Sequence, residues 1–148
     1  MKPKTLLLLV LASLTLTACG GVDPNSPLGK RQTIFKQMLN TSEDLGGMLR
    51  GRIAFDEEKF VVGAAQLDKL SRQPWQHFPQ VKEDESSAKD EVWQRQERFQ
   101  QLARELENAT AALVVATTAT PLQRADLAAP MQRVEDGCEA CHEEFRVY

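Results

Sequence analysis

Near the C-terminus, Cys138-Glu139-Ala140-Cys141-His142 sets two thiols three positions apart, with an imidazole directly after the second. A C-x-x-C-H sequence is the attachment signature of c-type haem. Each thiol can add to one haem vinyl group, and the adjacent imidazole then falls beneath the iron as the proximal axial ligand. Geometry imposes the spacing, because two thioethers and one ligand must reach the same side of a rigid macrocycle. The chain holds only three cysteines and two histidines, and chance assembly of the pattern from so few is on the order of one in a thousand. Other uses of these residues fit less well. A zinc site needs about four ligands, and a thioredoxin-like dithiol needs a βαβ setting. A Cys138–Cys141 disulfide suits an oxidising compartment but leaves His142 without a task.

A framework must position these groups, and the hydrophobic pattern supplies helices. From Leu28 to about Leu49, a helical stripe carries Ile34, Phe35, Met38, Leu39, Leu45, Met48 and Leu49, with one imperfect turn at Thr41 and Ser42. Gly46, Gly47 and Gly51 weaken its end and allow close approach of a neighbour. Asp56 reads as an N-cap, with Glu57 and Glu58 where negative charge suits the helix dipole. Phe60, Ala64, Leu67 and Leu70 follow at helical spacing until Pro74 ends the run.

Residues 74–87 form the one long connection, which Trp75 and Phe78 are expected to pin to the core. A third helix is expected from about Asp90 to Thr117, with Trp93, Phe99, Leu102, Leu106, Ala109 and Leu113 facing inward. Thr120-Pro121 reads as the cap and first residue of a fourth helix. Its seam is Leu127, Met131, Val134, Cys138, Cys141 and Phe145, and Pro130 falls early in it, where it can kink the helix or shift its start. The expected fold class is all-α, an antiparallel four-helix bundle with haem attached on the last helix.

The front of the chain differs in character. Lys2 and Lys4 precede an apolar stretch, Leu6 to Leu16, that is too short to span a bilayer. The sequence Leu16-Thr17-Ala18-Cys19-Gly20 resembles the bacterial lipobox, in which the cysteine is diacylglycerated and becomes the new N-terminus. Residues 1–18 are therefore expected to be a lipoprotein signal peptide, Cys19 the lipidation site and residues 19–27 a flexible tether. Gly20 stands where inner-membrane retention signals in enterobacteria usually place Asp, which favours the outer membrane. The expected location is the periplasm, with a lipid anchor to the membrane. A net charge of −3 gives no basic footprint for nucleic acid and no broad attraction to anionic lipid. Membrane attachment then rests on Cys19.

The motif closes the last helix, whereas common small electron-transfer cytochromes carry it near the N-terminus with a distant methionine. This arrangement resembles the cytochrome c′ family, the class II cytochromes c, over residues 28–148. Lys30-Arg31-Gln32 with Phe35 and Met38 resembles the family's first helix. Phe55-Asp56, Pro74-Trp75 with Phe78, and Glu91 with Trp93 resemble its middle. Cys138, Cys141, His142 and Arg146 match its C-terminal motif.

The resemblance implies one covalent haem c, with Cys138 and Cys141 as thioether sites and His142 as proximal ligand. It places Arg31 and Gln32 beside the haem edge, with Arg31 near a propionate, and Arg146 close to the proximal histidine. Phe35 would face the sixth coordination position with Met38 lining the pocket, as in the family's five-coordinate branch; low-spin relatives place a ligating Met at the facing position. The implied role is binding of nitric oxide or carbon monoxide by a non-enzymatic haem protein. The alternative is an electron-transfer cytochrome, Met-ligated or not, working with a redox partner protein. A peroxidase lacks support, since no second histidine or distal arginine is placed over the iron. The lipid signal departs from the many freely soluble members and counts against a role requiring long-range diffusion, while the family's usual homodimer stays an open expectation. His77, in the Trp75-Gln76-His77-Phe78 loop, reads as a solvated or packed residue.

Overall fold

A computed structural model describes residues 21–148 apart from residue 84. The expected signal peptide, residues 1–18, and the expected lipidation site Cys19 lie outside the described residues. Among the described residues five α-helices follow in order: α1 Pro27–Leu49, α2 Glu57–Ser71, α3 Glu91–Gln94, α4 Gln96–Ala116 and α5 Arg124–Phe145. A short 3₁₀ turn, Trp75–His77, sits in the long connection. The four long helices pack in a ring, α1 on α2, α2 on α4, α4 on α5 and α5 back on α1. This is an antiparallel four-helix bundle.

Local chemistry sets the helix starts. Ser26 has extended backbone and its Oγ accepts from the Gly29 N–H at 3.0 Å, with Pro27 in the first helical position. Asp56 caps α2 as expected, accepting from the Lys59 N–H at 3.0 Å. The chain leaves α1 through Gly51, whose φ of 74° is one that side chains with a Cβ rarely adopt. Gly63 lets α2 approach α1 closely, since a Cβ there would stand 2.9 Å from a Leu45 methyl carbon.

The main apolar cluster runs down the bundle axis. It joins Ile34, Met38, Leu45 and Met48 of α1 and Phe60, Ala64, Leu67 and Leu70 of α2 to Leu106, Leu113, Leu127, Met131 and Val134. The expected stripes supply nearly all of it. Leu39 is the exception at 56% exposed, since the α1 stripe turns toward solvent there. A second cluster of Val92, Phe99, Leu102 and Phe145 closes the end of the bundle that carries the C-x-x-C-H sequence.

Two boundaries differ from expectation. The third helix breaks at Arg95, whose φ of −121° and ψ of 49° are not helical. The break turns α3 so that Val92 is buried with Phe145, while the Trp93 indole N–H donates to the Pro79 carbonyl at 2.6 Å. The last helix begins at Arg124 rather than Pro121, because Leu122 is buried first and Gln123 is still extended. Pro130 lies inside α5, which continues through it to Phe145.

Candidate functional site

Cys138 and Cys141 stand on the last turns of α5, one helical turn apart, with His142 directly after them. Cys138 packs against the axial cluster and Cys141 against the end cluster, so the two thiols straddle the join between them. Both are half-buried, and no disulfide joins them. Burial pushes the Cys138 thiol up to about 11, with Glu135 adding to the effect. Burial also pushes Cys141 up to about 11, with smaller effects from Cys138 and Glu144. His142 is half-buried, and burial followed by the nearby Arg146 charge lowers its pKa, favouring a neutral imidazole with a free lone pair.

The end of α5 is held firmly. The Arg146 N–H donates to the His142 carbonyl at 3.0 Å. The Lys89 N–H donates to the Phe145 carbonyl at 2.9 Å and the Val147 N–H to the Ser87 carbonyl at 2.8 Å, which ties residues 87–89 to the helix end. Glu144 accepts from Arg98 at 2.6 Å and from Arg95 at 2.9 Å. That fork bolts the α3–α4 junction beside Cys141. The carboxylate is held below its usual range, chiefly by the Arg98 hydrogen bond.

An aromatic wall continues from this end toward α1. Phe145 meets Phe99 at 5.4 Å between ring centres, Phe99 meets Phe78 at 4.9 Å and Trp75 at 5.8 Å, and Trp75 meets Phe35 at 6.0 Å. All four contacts are edge-to-face, the arrangement that aromatic quadrupoles prefer. Trp75 Nε1 is the one buried side-chain nitrogen or oxygen among the described residues without a hydrogen-bond partner.

The structure brings Phe35, Met38 and Cys138 to the same axial cluster, with Met38 only 5% exposed and Phe35 half-buried at its margin. Gln32 is exposed on α1. Arg146 is exposed beside His142, its guanidinium 5.6 Å from the Tyr148 ring. Arg31 has partners that its expected place near a propionate does not account for. It is 3% exposed and donates to the His77 carbonyl, both Glu83 carboxylate oxygens and Ser86 Oγ, all within 2.8–2.9 Å. Four of the five guanidinium N–H groups are thus engaged inside the protein. His77 takes part through its backbone carbonyl.

Two neutral thiols and a neutral imidazole on one face of one helix end, at the join of two apolar clusters, are a donor set suited to covalent haem. Among the described residues no three His, Cys, Asp or Glu side chains are grouped to share a metal ion. The family model for cytochrome c′ matches residues 26–146. The chain belongs to the cytochrome c′ family. Its cofactor is covalent haem c, and Cys138-x-x-Cys141-His142 is its one C-x-x-C-H sequence.

Among related cytochromes c′, that of Rhodopseudomonas palustris is 26% identical over 139 residues, 92% of each chain. Solved structures share the fold. Cytochrome c prime from Shewanella frigidimarina superposes with a TM-score of 0.79 at 22% identity, covering 86% of this chain and 99% of that one. The nitric oxide complex of a mutant cytochrome c prime from Alcaligenes xylosoxidans gives 0.76 at 23% identity, covering 84% and 98%. A carbon-monoxide-bound variant of the same protein gives 0.77 at 23% identity, covering 86% and 98%.

Glu83, Arg98 and Glu144 were not legible as site residues. Each sits in a charged stretch that reads as solvated surface, and its partner lies 46 or 52 residues away in sequence. Phe99 was legible only as core.

Proposed function

We propose that this chain is a lipid-anchored haem protein of the bacterial envelope that binds nitric oxide or carbon monoxide at a five-coordinate iron. In this reading Cys138 and Cys141 form the thioethers and His142 is the proximal ligand. When bound, the haem would supply an iron able to change between ferric and ferrous and to take a diatomic ligand. Phe35 would face that side. Its ring is apolar and offers no hydrogen bond, which disfavours oxygen more than nitric oxide or carbon monoxide.

One observation carries the reading. Met38, the thioether next to Phe35 on the α1 face, is 5% exposed and packed among Ile34, Leu45 and other axial core residues. Phe35, half-buried at the margin of the same cluster with its ring on Trp75, is the apolar side chain that the family resemblance sets over the open side. The nitric oxide and carbon monoxide complexes of the Alcaligenes xylosoxidans relatives support the same ligand class. Arg146, whose charge already acts on His142, would tune the iron electrostatically.

The envelope location rests on the lipobox reading of Cys19, with the outer membrane favoured. Among the described residues no helix is long and apolar enough to cross a membrane. A second reading, electron transfer with a partner protein, draws support from the half-exposure of Cys141 and His142, which would bring a haem edge near solvent.

Optical spectra of the purified protein separate the two. High-spin ferric and ferrous spectra, with a ferrous form that takes up carbon monoxide and nitric oxide, are expected. A low-spin ferric spectrum with a methionine-to-iron charge-transfer band would favour electron transfer instead.

A further inference from the structure

Arg31 is almost fully buried at the start of α1, one helical turn before Phe35. Its guanidinium holds the long connection at three points: the His77 carbonyl, the Glu83 carboxylate through two parallel 2.9 Å bonds, and Ser86 Oγ at 2.8 Å. It also stacks over the Phe78 ring, 4.6 Å from the centroid. Such a two-pronged, charge-assisted pair fixes orientation as well as energy.

The segment so held, Trp75 to Phe78, contributes the ring that abuts Phe35 at 6.0 Å, and Phe78 and Trp75 share Phe99 as a backstop. Trp75 also packs against both apolar clusters, and the clamp fixes the backbone turn that carries it. Loosening the clamp would free Trp75, and a freed Trp75 would leave the Phe35 ring room to swing.

We propose that Arg31 and Glu83 are positioning residues for gas access: by clamping the Trp75–Phe78 turn they hold Trp75 against Phe35, and so set how fast a diatomic ligand passes Phe35. The inference rests on the gas-binding reading above. The partner fit of Arg31 makes the clamp a property of the polypeptide, with Glu83 supplying the counter-charge inside the fold.

The test uses the ferrous holoprotein and carbon monoxide. Glu83→Gln keeps the side-chain size but removes the charge, and the association rate should rise about fivefold, a modest gating effect. Ser86→Ala, which removes one bond and leaves the ion pair, should raise it less and guards against a Glu83 variant that fails to fold. Lys59→Gln breaks the Lys59–Asp56 pair, a 3.0 Å exposed ion pair at the start of α2, and should leave the rate unchanged. In a Phe35→Ala background the Glu83→Gln and Ser86→Ala effects should vanish, which loss of stability alone would not produce. Unchanged rates in both clamp variants, or effects of full size without Phe35, would overturn the proposal. A wild-type ferrous protein that binds no carbon monoxide would instead overturn the gas-binding reading beneath it.

Discussion

Arg31 and Glu83 lie 52 residues apart in sequence yet meet through two parallel hydrogen bonds of 2.9 Å, with the arginine side chain 4% exposed and the glutamate 27%. A buried guanidinium left without its counter-charge is costly, so Glu83→Ala should destabilise the fold by about 2–3 kcal/mol, a figure held down by the water that still reaches Glu83. The Arg31 hydrogen bond holds the Glu83 carboxyl below its ordinary value of 4.5. The ionised form is thus favoured in the folded state. The pair contributes its full stability above the ordinary glutamate value, and that contribution is lost as pH falls through the lowered folded value. Urea unfolding at a series of acid pH values should show a steeper loss in wild type than in Glu83→Gln, and parallel curves would contradict the assignment.

Covalent attachment should survive acid-acetone extraction, because thioether bonds do not dissociate as axial ligands do. Cys138→Ala and Cys141→Ala should each impair maturation and leave less haem-stained protein on a denaturing gel. Haem extracted freely from the wild-type protein would remove the thioether roles.

The bundle was legible because four stripes of apolar residues recur at helical spacing, and burial is what such stripes are for. Phe60, Ala64, Leu67 and Leu70 are all 7% exposed or less, as their spacing required. What sequence did not carry was anything decided across the fold. The break at Arg95 falls inside an unbroken helical pattern, and it exists because Val92 and Phe145 need each other's surface. Thr120-Pro121 is a sound local start signal, overridden because burying Leu122 gains more than one further helical turn. The C-x-x-C-H sequence was legible because its chemistry is local. The Arg31 clamp was not, since neither Glu83 nor Ser86 differs in type or spacing from a solvated loop.

The proposed lipid anchor has a clear test. Wild-type protein should incorporate labelled palmitate and fractionate with membranes, and Cys19→Ala should lose the label and move to the soluble fraction. Retention of the Cys19→Ala protein in the membrane fraction, at unchanged level, would point to a different attachment and remove the lipobox reading.

The relation of Phe35 to Met38 decides between gas binding and electron transfer. The two residues lie on neighbouring parts of one helix face, so either could serve the iron's open side. Their surroundings differ. Phe35 is half-buried with its ring against Trp75, whereas Met38 is 5% exposed inside the axial core. Phe35→Ala should remove the obstruction and speed carbon monoxide association about tenfold, the equivalent of lowering the barrier by about 1.4 kcal/mol. Met38→Ala should leave the ferric spectrum unchanged and cost about 2–3 kcal/mol of stability, as truncating a buried methionine does. The opposite pattern, a low-spin wild-type spectrum that turns high-spin in Met38→Ala, would mean that the thioether leaves the core to bind iron. Such a bond would raise the potential and close the sixth position, and electron transfer would then be the function.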